Sequence, residues 1–380
     1  MKKTTIMKKT TLTILTTLIV ATMTFAQFDH SKLSRYSQQI ENLEENIDKK
    51  DNEYDLYKSD FEDEIDNLDY EDDPLSALTQ RVELLEEKQQ KFEDVTEQKE
   101  SFNIDISQIR YEVGLLVIKD MIEYLGTLQS QFASLDFQRS YTDLSSPNTF
   151  PTFQQNINHL TEKSIRKGFT LPDMDMGNAF LNTAYFLTRS IVSERRDKHN
   201  LTQETLCILD FTSQASCNLP IINFDLQYLT SELGKMNHDF NMLFGEYTSK
   251  VGYSNTFDNY ISGHSDNLDS DLIPNYFTML KNESETQRNR QLRDINFALS
   301  KVMDAYNEYE RFVGQGLAYY KKFSSITNTL NPQCDNSAIS TELQTRFDNM
   351  QHKLERAQLD FEKAYRGKIK QTYLKQLIEM

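Results

Sequence analysis

The sequence predicts an all-α fold, an elongated helical bundle with long coiled-coil-like antiparallel helices in which an N-terminal helical hairpin packs with a long C-terminal helix. Two observations support this prediction. The 380 residues include only eleven glycines and seven prolines, about half of ordinary usage, whereas an all-β fold needs turn residues at about every 8–12 positions. Between the prolines, apolar residues recur at helical spacing over long stretches.

Residues 1–26 have the three-part pattern of a secretory signal peptide. Lysines near the start precede an uncharged stretch, and small residues stand at Thr24 and Ala26. We expect cleavage after Ala26 rather than retention as a membrane anchor, because seven of the nineteen uncharged residues at 10–28 are threonine. The sequence therefore predicts a secreted or periplasmic protein of bacterial type, with no stable membrane span after cleavage.

The clearest helix covers residues 33–68. Steps of three and four residues along it form a seam in which nine of eleven positions are apolar or aromatic, and the other faces are rich in charged residues. This seam consists of Leu33, Tyr36, Ile40, Leu43, Ile47, Lys50, Tyr54, Tyr57, Phe61, Glu64 and Leu68.

A second helix is predicted after a break at 70–73, with Pro74 in its first turn and Asp72 or Asp73 as its cap. The short break indicates an antiparallel hairpin. We expect the second arm to continue the apolar seam through Leu75, Leu78, Val82, Leu85 and Phe92.

Part of the first seam is expected to need a cover from outside the hairpin, because the stripe on the second arm fades after Phe92. The candidate contact residues are Tyr54, Tyr57 and Phe61. One possible cover is internal, the amphipathic helix at 343–373. The other is a second copy of the chain or a partner protein, which would make this seam a functional surface.

The remaining chain is divided by its prolines. We expect a third helix at 102–135, then loops and a short helix up to about 175, a helix at 176–198 and non-helical packing at 207–222. Helices are predicted again at 223–250, 275–329 and 337–378. The predicted organisation is a signal peptide at 1–26, a coiled hairpin plus third helix at 27–135, an irregular region at 136–222 and a helical region at 223–380.

Three cysteines remain after cleavage of the signal. In an oxidising compartment two of them can pair, and we expect a disulfide between Cys207 and Cys217 around a nine-residue loop, with Cys334 left over. The alternative is that all three are small buried apolar residues.

No motif predicts a catalytic residue, a cofactor or a metal site. The six histidines form no HExxH pattern, and His238 and Asp239 point to different sides of a helix. Asp266, Asp269 and Asp271 lie in a polar stretch but lack the ligand order of an EF-hand, so we interpret them as loop and capping residues. The aromatic stripe from Tyr306 to Phe323 is interpreted as core.

The charge balance narrows the class of partner. Lysine and arginine number 41 against 58 acidic residues, a net charge of −17, which argues against nucleic-acid binding because phosphate backbones repel such a chain.

The leading hypothesis is a secreted, non-enzymatic helical protein that acts through protein–protein contacts or self-association, such as a surface scaffold, an adhesin-like subunit or a secretion-apparatus component. The alternatives are an α-helical pore-forming toxin, with 111–128 and 178–192 as its candidate segments, and an enzyme on a helical scaffold.

Overall fold

The computed structural model describes residues 28–68, 74–135, 137–156, 159, 199–262, 268–334 and 337–378. Within these residues the chain is 91% helical and has no strand, so the predicted all-α helical bundle is confirmed. The predicted signal peptide and the predicted helix at 176–198 lie outside the described residues.

Nine α-helices have defined bounds in the described part of the chain. They are α1 (His30–Asp66), α2 (Pro74–Leu135), α3 (Phe137–Ser145), α4 (His199–Thr248), α5 (Phe257–Ile261), α6 (Ile273–Lys281), α7 (Glu285–Thr327), α8 (Ser337–Gly367) and α9 (Gln371–Ile378). A 3₁₀ turn follows α3 at Pro147–Thr149, another follows α4 at Ser249–Val251, and a π-helical turn at Leu268–Leu272 precedes α6.

Helix α1 starts and ends close to the prediction. Asp29 caps it, because its carboxylate accepts a hydrogen bond from the backbone N–H of Lys32 at 3.1 Å. Helix α2 begins at Pro74, where the missing N–H costs nothing. The third helix predicted at 102–135 is not separate: it is the second half of the 62-residue α2, since no glycine or proline between Phe92 and residue 102 interrupts it.

The region predicted to be irregular also contains more helix than expected. Residues 137–145 form α3, and residues 151–156 are helical after the 3₁₀ turn. The predicted non-helical segment at 207–222 is wrong, because α4 runs through it without interruption and holds Pro220 in its interior. A proline inside a helix removes one backbone hydrogen bond, and the apolar packing of the surrounding helix outweighs that loss.

The described residues divide into two compact units. Unit 1 comprises Met1–Tyr124, Asn237–Tyr309 and Gly367–Met380. Its core contains a stacked pair, Tyr111 and Tyr247, whose ring centroids lie 4.4 Å apart. Each hydroxyl donates a hydrogen bond to the other residue's backbone carbonyl at 2.7 Å. Burial raises the pKa of both hydroxyls.

Unit 2 comprises Leu125–Met236 and Glu310–Arg366. Phe361 of α8 is completely buried and packs against Phe312 and Tyr320 of α7 at 5.8 and 5.5 Å between ring centroids. Gly316 allows this close approach, since a Cβ at that position would lie 2.1 Å from the Phe361 ring. The aromatic stripe of α7 is therefore largely core, as its spacing predicted.

Candidate functional site: the surface of the N-terminal hairpin

Helices α1 and α2 form an antiparallel hairpin within unit 1. Four contacts fix the pairing: Asp51 with Lys99, Tyr54 with Phe92, Tyr57 with Lys91, and Phe61 with Lys88. Residue numbers rise along α1 while those of their partners fall along α2, which is the signature of antiparallel arms. The hairpin predicted from the break at 70–73 is thus present, although those residues lie outside the described part.

The inward face of the hairpin combines aromatic and cationic side chains. The Tyr54 and Phe92 rings lie 5.6 Å apart, and the Lys88 ammonium lies 4.5 Å above the Phe61 ring, close enough for a cation–π attraction. The Lys99 ammonium pairs with the Asp51 carboxylate at 2.6 Å. The lysine side chains close this face, because their apolar stems lie over the rings.

The seam predicted along α1 is the least exposed row of that helix. Leu33, Ile40 and Phe61 are buried, and the other seam positions are half-buried except Glu64. Burial beside α2, with Glu87 and Glu64 nearby, raises the pKa of the Tyr57 hydroxyl. Tyr54, Tyr57 and Phe61 therefore lie on the inward face of the hairpin, and their contact with a partner protein stays a prediction.

Apart from Phe92, whose ring packs against Tyr54 of α1, the apolar row on the second arm does not face α1. The residues that do are buried or half-buried: Ala77, Leu84, Lys88 and Val95. The side chains predicted to continue the seam are 48–76% exposed instead. We call this row the α2 stripe; it consists of Leu75, Leu78, Val82, Leu85 and Phe92.

Helix geometry explains why α1 does not cover the α2 stripe. Successive residues are turned by about 100° around a helix, so Leu85 points well away from its neighbour Leu84, which faces α1. Complete burial of one large apolar side chain is worth about 1.5–3 kcal/mol. Five such side chains that are half exposed or more leave roughly 5 kcal/mol of burial unrealised. A contiguous row of this kind is a typical protein-contact surface.

The cysteine pairing differs from the prediction. The disulfide joins Cys207 to Cys334 in unit 2, with Cα atoms 6.0 Å apart, and Cys217 is an exposed free thiol. The predicted bridge between Cys207 and Cys217 is wrong because both residues belong to α4, where ten residues span about 15 Å. A disulfide needs Cα atoms within about 7 Å.

A second surface feature is a groove of 650 Å³ in unit 2, which is lined by α3 and α8. Sequence analysis missed it because its cations come from segments about 200 residues apart. They are Arg139, Arg346, Lys353 and Arg356, and the His352 side chain lies beside them.

Most of the groove's polar groups are already engaged. The Arg346 guanidinium donates to the Asp143 and Thr149 carbonyls at 3.3 and 2.9 Å and pairs with Glu342. Lys353 donates to the Ser140 hydroxyl at 3.1 Å. The Asp143 and Glu342 carboxylates offset part of the positive charge. The side chains of the groove therefore form a hydrogen-bond network that joins α3 to α8, and they do not form a defined anion site.

The other residues singled out from the sequence do not form a site in the described part of the chain. His238 and Asp239 are both exposed, and the Asp269 carboxylate accepts a hydrogen bond from the Tyr260 hydroxyl at 2.9 Å. Among the described residues no group of three or more histidine, cysteine or acidic side chains is arranged to hold a metal ion.

The described helices do not have the features of a membrane span. None of them combines the length and apolar character needed to cross a bilayer. Of the two candidate segments, 111–128 lies within α2, and 178–192 lies outside the described residues.

Comparison with protein-family models, with curated proteins and with solved structures found no match for this chain.

Proposed function

We propose that this chain is a secreted, non-enzymatic helical protein that acts through protein–protein contacts, with the α2 stripe as its contact surface. The observation that carries the proposal is the exposure of five large apolar side chains in one row of a regular helix. Single exposed apolar residues are ordinary, but a continuous row costs free energy in water unless a partner covers it.

The extracytoplasmic location rests on two further observations. Residues 1–26 have the pattern of a cleavable signal peptide, and disulfides such as that between Cys207 and Cys334 persist in oxidising compartments. A scaffold, an adhesin-like subunit or a secretion-apparatus component fits both this location and a function based on contact.

Photo-cross-linking in the producing cells tests the proposal. A photoreactive residue is placed at Leu78 within the stripe, and at Glu87 as the matched control, which is exposed on another side of the same helix. We expect a cross-linked adduct from position 78 and none from position 87. Absence of an adduct at 78 and at each of the other stripe positions would refute the proposed contact surface.

A companion experiment separates a contact surface from a core. The double variant Leu78→Ser/Leu85→Ser removes two side chains that are 52% and 48% exposed. With the photoreactive residue moved to Val82, we expect loss of the adduct while the free energy of unfolding of the monomer changes by less than about 1 kcal/mol, as for surface substitutions. A loss of several kcal/mol would mean that the stripe is part of the core of the folded chain.

A further inference from the structure

We propose that the partner on the α2 stripe is a second copy of this chain, bound through a parallel, in-register coiled coil of the two α2 helices over residues 75–92. This inference rests on the proposed function, because it names the partner for the same surface. It follows from the spacing of the stripe and from the charges beside it.

The spacing of the stripe is that of a heptad repeat. Counting from Leu75 as position a, the a positions are residues 75, 82 and 89 and the d positions are 78, 85 and 92. Five of these six positions are large and apolar, and all six are exposed. The Phe92 ring is half exposed and also packs against Tyr54 of α1. A seam with this period fits a facing helix with the same period, since each side chain then enters a gap between four residues of the neighbour.

The one polar position supports pairing in register. Gln89 occupies an a position, where a single buried polar residue specifies alignment at a cost in stability. In a parallel in-register pair the two Gln89 side chains face each other and can hydrogen-bond. A shift by one heptad would place Gln89 of one copy against Val82 of the other instead.

The flanking charges select the orientation. Arg81 and Lys88 occupy g positions, and Glu86 and Glu93 occupy e positions. In a parallel pair each g residue faces the e residue of the next heptad on the other helix, so Arg81 meets Glu86 and Lys88 meets Glu93 of the second copy. Both contacts join opposite charges, and the twofold symmetry repeats each of them.

An antiparallel pair would have the opposite electrostatics. There g faces g and e faces e, so arginine and lysine would meet each other and the glutamates would meet each other. Like charges in these positions oppose association. Arg81, Glu86 and Glu93 are exposed, whereas Lys88 also lies over the Phe61 ring. The Arg81–Glu86 contact is therefore the sharper test.

Sedimentation of the purified mature chain measures self-association directly. We expect a dimer whose dissociation constant rises at least about a hundredfold in Leu78→Ser/Leu85→Ser. Arg81→Glu should raise it about tenfold, because two attractive contacts become repulsive. The swapped variant Arg81→Glu/Glu86→Arg should restore it, whereas a stronger dimer in Arg81→Glu alone would overturn the parallel orientation.

Cysteine cross-linking tests the register. In a Cys217→Ser background, which removes the free thiol, Val82→Cys places two sulfurs opposite each other at an a position of the parallel pair. We expect rapid formation of a covalent dimer with Val82→Cys and none with the control Glu87→Cys. A dimer that forms without this cross-link would overturn the in-register arrangement.

The mass of the photo-cross-linked adduct at Leu78 separates the two proposals. An adduct of twice the chain mass supports the second copy. A monomer in sedimentation together with an adduct of another mass overturns this inference but leaves the proposed contact function standing. A monomer without any adduct overturns both.

Discussion

The disulfide between Cys207 and Cys334 is expected to make a large contribution to the stability of unit 2. It joins the first part of α4 to the segment before α8 across 127 residues. A cross-link of this span removes about 5 kcal/mol of chain entropy from the unfolded state, and loss of a native disulfide typically costs about 2–5 kcal/mol. Both cysteines are only half-buried, so replacing sulfur with oxygen adds little packing loss.

Chemical denaturation of Cys334→Ser, Cys207→Ser and the double variant measures this contribution. We expect each single variant to lose about 2–5 kcal/mol, and the double variant to lose no more, because either change already breaks the same bond. Reduction of the wild-type protein should give the same loss. Cys217→Ser is the matched control, and its stability should equal that of the wild type.

Two results would refute this reasoning. One is a Cys334→Ser variant as stable as the wild type under non-reducing conditions. The other is a non-reducing peptide map that joins Cys207 to Cys217, which would require α4 to be broken between them.

Two further predictions concern the interior of the units. Gly314→Ala should stabilise α7 by about 1 kcal/mol, since no atom lies within 4 Å of the new Cβ. Gly316→Ala should destabilise it by about 1–3 kcal/mol, because its Cβ would meet the Phe361 ring. Thermal unfolding measures both changes, and stability changes of the same sign in the two variants would contradict the packing. Burial raises the pKa of the Asp120 carboxyl from 3.8 to about 6, so the folded protein retains this proton to a higher pH than the unfolded chain. The contribution of Asp120 to stability should therefore fall by roughly 1.4 kcal/mol per pH unit between about pH 4 and 6. We expect Asp120→Asn to be more stable than the wild type at pH 7 but not at pH 4. A stability difference between the two proteins that is independent of pH would contradict this.

The sequence predicts those features of the fold that depend on neighbouring residues. The period of the α1 seam locates its least exposed row, and the break before Pro74 locates the hairpin. Features that depend on residues far apart in the sequence produce no local sequence pattern. Tyr111 and Tyr247 are 136 residues apart. No residue near either one in the sequence indicates that the two rings stack and that each hydroxyl donates a hydrogen bond to the other residue's carbonyl.

The incorrect disulfide prediction has a specific physical cause. The predicted non-helical packing at 207–222, a segment that contains Pro220, would allow a tight loop between Cys207 and Cys217. A proline inside a helix removes one hydrogen bond but does not prevent the helix from continuing when its apolar faces are packed. Once α4 is continuous, helical rise alone excludes the bridge between Cys207 and Cys217.

The α2 stripe shows the difference between finding an apolar row and finding what covers it. The first half of α2 has two such rows, one through Ala77, Leu84 and Val95 and the other through the stripe. A helix beside a single neighbour buries one row only. Helix α1 lies beside the first row and reaches the stripe only where Tyr54 meets Phe92. The rest of the stripe, which has heptad spacing and flanking charges of both signs, stays exposed on the chain itself. A second helix with the same period is the neighbour that we propose for it.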